Sequence, residues 1–242
     1  MKKVLFLGAP GVGKGTFAKR IAPRLNLRHL SAGELLRGHV KEGSPLGRLA
    51  KPFLDKGLMV PSEHSVTMMK HEVSKLQASS RVNGYILDGF PRVLEQAQMW
   101  SDLALGDGNP ELVINISLSR SVLVHKLASR RICGGCGDNY NLADIRYGHY
   151  DMPPMLPKSE GICDTCGSGL IRRDDDADDI IQHRLELHFE KEEPLLEFYR
   201  SSPDTRVIDF QVTRGIQQTD SLLEIIDTYF TDVKQKLRVQ IH

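Results

Sequence analysis

The chain has 242 residues, with 32 Lys and Arg against 31 Asp and Glu and a formal net charge of +1. That length supports one large or two small domains around a real hydrophobic core without help from disulfides. A 40% hydrophobic composition excludes disorder and collagen-like structure, and the near-neutral charge gives no global basic field, so nucleic acid is not an expected partner.

No apolar run approaches the roughly 20 residues that cross a bilayer, so no membrane association is expected. Lys2 and Lys3 before Val4 to Leu7 imitate a signal peptide, but Gly8, Pro10, Gly11 and Gly13 interrupt the apolar stretch too early. With no Arg/Ser-rich leader before this run and no recognisable address at Gln240-Ile241-His242, a cytoplasmic location is expected.

Five short apolar runs alternate with helical patterns: Val4 to Leu7, Arg28 to Leu30, Tyr85 to Leu87, Leu112 to Ser117 and Arg206 to Phe210. The alternation predicts an α/β fold with a five-stranded parallel sheet flanked by helices. Ser31 with Glu34 forms a capping-box pattern, and Pro61-Ser62-Glu63 marks another helix start. From Leu195 the chain is expected to end in two helices around the last strand. The second, from about Gln217 to Leu237, puts Leu222, Ile225, Ile226, Tyr229 and Phe230 on one face, as core residues.

Two segments break the rhythm. Residues 32–60 carry two short helical patterns punctuated by Gly43 and Gly57, and residues 131–172 are rich in Gly, Pro and Cys. At that length, a structureless loop in a compact domain is expected only as a lid. The resulting division is a core of residues 1–31, 61–130 and 173–242 with two mobile insertions.

Directly after the first run, Gly8-Ala9-Pro10-Gly11-Val12-Gly13-Lys14-Gly15-Thr16 satisfies the phosphate-loop pattern. Glycines let successive N–H groups point at a phosphate, the following helix adds its positive end, and Lys14 reaches the outer phosphates with Thr16 placed for magnesium. The bland alternative is a glycine-rich turn with an accidental lysine. Tyr85-Ile86-Leu87 delivers Asp88 at a strand end, where open sheets bind ligands. Asp88 would hold magnesium, partly through water, or be a simple strand-end turn aspartate.

Cys133 with Cys136 and Cys163 with Cys166 form two Cys-x-x-Cys pairs, each followed by glycine. Four soft sulfurs at this spacing favour a closed, structural zinc site. Two disulfides or a redox pair are the alternatives. His183 and His188, five apart, and His71 lack metalloprotease spacing and read as surface residues.

The phosphate loop together with Asp88-Gly89-Phe90-Pro91-Arg92 and Gln96 resembles the adenylate kinase family, over essentially the whole chain. The resemblance implies residues 32–60 as the monophosphate-binding insertion and residues 131–172 as the lid of long-form members, some of which carry zinc there. It implies AMP contacts from Ala32, Arg37, Leu58, Met59, Val60, Gly89, Arg92, Gln96, Arg173 and Arg184. It implies ATP contacts from Gly11, Val12, Gly13, Lys14, Gly15, Thr16, Lys126, Arg130 and Tyr140. Lys14, Asp88, Arg92, Arg130, Arg173 and Arg184 are its expected catalytic set. Asp175 and Asp176 match the family's Arg-x-Asp-Asp string. Forked guanidinium donors suit phosphoryl transfer, although isolated arginines are mostly solvated and the acidic run Asp174 to Asp179 also suits a helix N-terminus.

Three positions depart from the family: Ala32 where threonine is usual, Lys126 where an arginine commonly stacks on the donor base, and Asn141 where histidine is frequent. The span between the cysteine pairs is also long, with Tyr147, Tyr150, Pro153 and Pro154 inside it. The resemblance implies Mg-dependent transfer from ATP to AMP, reversibly giving two ADP, within adenine nucleotide homeostasis and nucleotide biosynthesis. A GTP-dependent or other nucleoside-monophosphate kinase, and a nucleotide-regulated zinc-knuckle binding module, are the rivals. A monomer is expected.

Overall fold

The computed structural model describes residues 1–79, 81–102 and 109–239. In chain order β1 (Lys2–Leu7), α1 (Lys14–Arg24), β2 (Leu27–Ser31), α2 (Ala32–Lys41), α3 (Pro45–Asp55) and α4 (Ser62–Ser79) precede β3 (Gly84–Asp88), α5 (Leu94–Asp102), β4 (Leu112–Ser117) and α6 (Arg120–Ala128). An excursion of short strands follows: β5 (Arg130–Cys133), β6 (Asn139–Asn141), β7 (Ile145–Tyr147), β8 (Tyr150–Met152) and β9 (Leu170–Ile171). Then come α7 (Asp178–Arg200), β10 (Arg206–Gln211) and α8 (Thr219–Val239). Among the described residues no helix is long and apolar enough to cross a membrane. Gln240-Ile241-His242 lies outside the described residues.

The five apolar runs are the five strands of one parallel sheet, ordered β10-β4-β1-β3-β2. Both of its faces are covered, which is why these strands read as near-continuous apolar runs. Alternate residues serve opposite faces. Val4, Phe6, Ile86 and Ile114 pack in one cluster with Phe17, Val122 and Leu222 from α1, α6 and α8. Leu5, Leu7, Tyr85, Leu87 and Val113 pack with Met69, Trp100 and Tyr199 from α4, α5 and α7. The strand order reverses at β1, which has β3 on one side and β4 on the other. Ligands in open α/β sheets bind beyond the C-terminal ends of strands at such a point.

Ser31 does sit at the N-cap of α2, but its side chain makes no capping hydrogen bond, and Glu34 pairs instead with Lys19 at 2.9 Å. The capping box is therefore not formed, because a tertiary ion pair takes its acid. Ser44 caps α3 through Gly47 N–H at 3.1 Å. The helix expected to begin near Leu195 is the end of α7, which runs unbroken through Pro194. Gln217 and Gln218 belong to a 3₁₀ turn, Gly215–Gln218, ahead of α8. Leu222, Ile226 and Phe230 of α8 are buried, while Ile225 and Tyr229 pack at the edge of the same cluster.

The excursion after α6 is not structureless. β6, β5 and β9 form a three-stranded antiparallel sheet, and β7 with β8 forms a separate hairpin.

Candidate active site

β1 ends at Leu7 and the chain turns sharply at Gly8, whose φ is +129°. A Cβ there would lie 2.1 Å from the Ile116 carbonyl oxygen, so only glycine lets the loop leave the sheet at this angle. Gly15 serves the other side of the loop. A Cβ on it would meet Asp88 Oδ2 at 3.1 Å, which means the bare backbone brings the start of α1 close to the carboxylate at the end of β3.

Lys14 folds over this loop and its Nζ donates to the carbonyls of Gly8 at 2.6 Å and Ala9 at 2.9 Å. Burial pushes the Lys14 ammonium down to about 8; Asp88 opposes the shift, and Arg92, Arg184 and Arg130 add to it. Asp88 itself is buried and lies 3.1 Å from His29 Nε2. Burial raises its carboxyl, but the His29 hydrogen bond and the charges of Lys14, His29 and Arg92 outweigh that, and the net shift is downward. An anionic Asp88 next to the phosphate loop is suited to a divalent cation's water shell.

One cleft, about 260 Å³ in volume, gathers the side chains the sequence singled out. Gly11 to Thr16, Lys126 and Tyr140 line its phosphate-loop end. Ala32, Arg37, Leu58, Met59, Val60, Gly89, Arg92 and Gln96 also line the cleft, Ala32 and Arg37 following β2 and Gly89, Arg92 and Gln96 following β3, on the other side of β1 from β4 and β10. Arg130, Arg173 and Arg184 join the same wall. The cleft wall carries seven basic side chains against four acidic ones, a surplus of three, where the whole chain carries +1. This is a local field for a polyanion that composition does not reveal.

Carboxylates hold two of the guanidinium groups in place. Arg130 Nε donates to Asp176 Oδ2 at 2.8 Å and a second Arg130 N–H to Oδ1 at 2.5 Å, with Asp176 wholly buried. Arg184 bonds the Asp175 carbonyl at 2.7 Å and its carboxylate at 3.0 Å. Arg92 Nε donates to the Gly89 carbonyl at 2.8 Å, and Gln96 Oε1 accepts the Arg92 backbone N–H at 2.9 Å. Arg173 Nε is buried without a hydrogen-bond partner. Burial pushes Arg37, Arg92, Arg173 and Arg184 below the ordinary arginine range, because a guanidinium taken out of water loses solvation of its charged form. Burial raises the Asp175 carboxyl, yet Arg184, Arg130, Arg173 and Arg37 more than reverse that.

Several site residues were not apparent in sequence. His29, 59 residues from Asp88, gives no local signal. His188 is not a surface residue: it lines the cleft together with Glu192, its Nε2 3.3 Å from Glu192 Oε1. The available sign was spacing, since Arg184, His188 and Glu192 recur every four residues on one face of α7. His183 and His71 are exposed as expected. Asn141 braces the neck of the excursion, donating to the Lys126 carbonyl at 2.8 Å and accepting from Ala143 N–H at 3.0 Å. Gly215 and Ile216, which follow β10 on the β4 side of the sheet, also line the cleft.

The four thiols lie away from this cleft, their sulfurs all within 4.8 Å of one another. Cys133 and Cys166 sulfurs are 3.3 Å apart and Cys136 and Cys163 sulfurs 3.6 Å. A tetrahedral ion with Zn–S bonds of about 2.3 Å needs sulfur pairs about 3.8 Å apart, so the cluster is compatible with zinc. Backbone N–H groups of Cys136 and Thr165 donate to the Cys133 and Cys163 sulfurs, each at 3.4 Å, as in turns that stabilise thiolates. The Ser168 hydroxyl and backbone lead the groups that hold the Cys166 thiol down to about 6. Tyr140 links the two centres: its ring lines the cleft while its hydroxyl donates to Cys163 Sγ at 3.6 Å and accepts Asp164 N–H at 2.8 Å.

A phosphate loop at the switch point of a parallel sheet, facing an acidic strand end and a convergence of buried arginines, defines a phosphoryl-transferring enzyme of the phosphate-loop class. The family model for adenylate kinase matches residues 6–203. The chain belongs to the adenylate kinase family. It is 36% identical over 236 residues to the GTP:AMP phosphotransferase of Plasmodium falciparum, spanning 98% of this chain and 100% of that one. It is 35% identical over 225 residues to the adenylate kinase of Lachnospira eligens, spanning 93% and 97%. It is 38% identical over 199 residues to that of Acetivibrio thermocellus, spanning 81% and 85%.

Proposed function

We propose that the enzyme transfers the terminal phosphoryl group of Mg-ATP to AMP and reverses the reaction from two ADP. An AMP phosphate oxygen attacks the γ-phosphorus in line, the bond to the ADP leaving oxygen breaks, and each product is ADP. The observation that supports this reading is one cleft lined both by the phosphate loop and by the segments after β2 and β3 on the other side of β1, with Arg130, Arg173 and Arg184 in the same lining. Gly11 to Thr16 would cradle the donor phosphates, with Lys14 on the outer ones and Thr16 and Asp88 holding Mg²⁺. Arg37 and Arg92 would hold the AMP phosphate, and Gln96 with the backbone of Leu58 to Val60 its base. The central arginines would neutralise charge on the transferring oxygens.

In this reading residues 1–31, 61–130 and 173–242 are the core, and residues 32–60 and 131–172 are the two insertions. Residues 32–60 and the four-cysteine part of 131–172 close over the substrates, while β7 and β8 stay packed on the core. Closure excludes water, which would otherwise accept the phosphoryl group. Cys133, Cys136, Cys163 and Cys166 would hold a structural zinc that staples the second insertion. The enzyme would act as a cytoplasmic monomer, since one chain supplies both ends of the cleft.

GTP as donor is the second reading, favoured by Lys126. This half-buried ammonium, pushed down by burial, lacks the planar face with which arginine stacks on a base. Phosphorus NMR with magnesium, AMP and either triphosphate tests both. ADP growing at the expense of ATP and AMP without free phosphate is the expected result. AMP untouched by ATP but consumed with GTP selects the second reading, and AMP untouched by both overturns the two together.

A further inference from the structure

The stretch between Asn141 and Met155 stands apart from the four-cysteine sheet. Asn141 and Met155 exchange two backbone hydrogen bonds, 3.0 and 2.8 Å, which close its neck. Between them β7 and β8 pair with Ile145 opposite Met152 and Arg146 opposite Asp151. Ile145, Tyr150 and Met152 are buried, and they join the cluster that contains Leu118, Phe210 and Val212 of the main sheet region. The thiol cluster is a separate one, built on Cys133, Tyr140 and Cys163. By packing, the hairpin belongs to the sheet rather than to the segment that carries it.

Two contacts direct it at one loop. Asp151 N–H donates to the Thr213 carbonyl at 2.9 Å. Met152 lies against Gly215, where an added Cβ would meet Met152 Cγ at 3.3 Å. The loop is braced from its other side by Gln218, whose Oε1 accepts from Thr213 and Arg214 N–H at 2.7 Å each, and by Thr219 Oγ1 on the Ile216 carbonyl at 2.6 Å. Gly215 has φ +54° and lines the cleft with Ile216 and Lys126, on the side of the phosphate loop.

We infer that the β7–β8 hairpin positions the donor purine: Met152 and Asp151 fix the Gly215–Ile216 backbone that forms the wall of its base site, from outside that site. The inference rests on the proposed transfer from a purine triphosphate to AMP. Adenine and guanine present a donor and an acceptor respectively at the six-position. A backbone wall therefore discriminates them only if held to a fraction of an ångström, and a glycine needs a buttress for that. Met152 is a positioning residue, and removing its side chain loosens the wall without touching AMP.

The test is steady-state kinetics of the full chain, zinc-supplied, with ATP and GTP as donors, for wild type, Met152→Ala, the volume-keeping Met152→Leu, and Tyr147→Ala at the exposed hairpin tip. Met152→Ala is expected to raise the KM of the preferred donor about fivefold and compress the ATP-to-GTP ratio of kcat/KM, with the AMP KM unchanged. Met152→Leu is expected to restore the ratio and Tyr147→Ala to leave it at the wild-type value. An unchanged donor KM in Met152→Ala overturns the inference, as does a parallel rise in donor and AMP KM, which marks general loosening. If wild type transfers no phosphoryl group from either donor, the functional reading has failed instead. The dissociation constants of fluorescent mant-ATP and mant-GTP then decide the hairpin's role by the same ratio.

Discussion

The arginine–aspartate centre and the four-thiol centre are both polar, and they are held by opposite means. The first is assembled from β5, the 3₁₀ turn Asp174–Asp176 and α7, and its groups are fixed by buried ion pairs that bridge 46 residues of chain. The second is assembled from two tight turns over a cluster of only Cys133, Tyr140 and Cys163, with Leu170 at its edge. The fold preorganises one centre. The other buries little apolar surface around its four thiols, so under the zinc proposal its stability would come from an ion held between the sulfurs.

The largest expected effect is on the first centre. Lys14→Met should lower phosphoryl transfer at least a hundred- to a thousandfold without lowering the thermal unfolding midpoint, because it removes an ammonium that is costly to bury. Turnover at the wild-type rate would remove the phosphate loop from the chemistry. Asp176→Ala should be next. It strands the Arg130 guanidinium in a buried site, and breaking such a pair costs about 3–5 kcal/mol, read as a fall in the urea midpoint. A change under about 1 kcal/mol would mean the centre is not preorganised by its ion pairs.

The sharpest contrast between the centres comes from zinc removal. Chelation should speed amide exchange in residues 133–140 and 161–171 and melt that segment before the core, while β7 and β8, packed on the main cluster, keep their protection. A single coincident thermal transition with and without zinc would erase the distinction.

Lys14 gives a pH signature of the first centre. Its folded-state value is depressed to about 8 from 10.5, so between those values the unfolded chain binds more protons. Stability should therefore gain from this group as pH rises from about 8 to 10.5, and carry the full cost of its burial below 8. Nucleotide binding has the opposite slope. Phosphate favours the charged ammonium, so binding should take up close to one proton near pH 9 and weaken up to about tenfold per pH unit above 8, measured by calorimetry in buffers of different ionisation enthalpy. The smallest effect separates two serines. Ser44→Ala should cost about 1 kcal/mol because its oxygen caps α3, whereas Ser31→Ala should cost less than about 0.5 kcal/mol, its side chain making no cap.

Local signals were legible in the sequence and pairings across the chain were not. The five apolar runs, the phosphate loop at Gly8 to Thr16 and the two Cys-x-x-Cys turns each depend on residues within one or two turns of backbone, where periodicity and glycine content report conformation directly. The family resemblance added Arg37, Arg92, Arg130, Arg173 and Arg184 as members of one site, which spacing alone does not reveal. Even a strong local pattern failed where a distant group competed: Glu34, three residues after Ser31, answers Lys19 instead.

What only the tertiary structure decided is which distant groups meet. His29 on Asp88, Arg130 on Asp176, His188 turned into the cleft and Met152 seated on Gly215 all depend on how β2, β5, α7 and the β7–β8 hairpin are brought together by the sheet order. The physical reason is one of range. Backbone propensity and side-chain period act over a few residues, whereas burial, ion pairing and the field of a cleft are set by neighbours that the chain reaches only after it has folded.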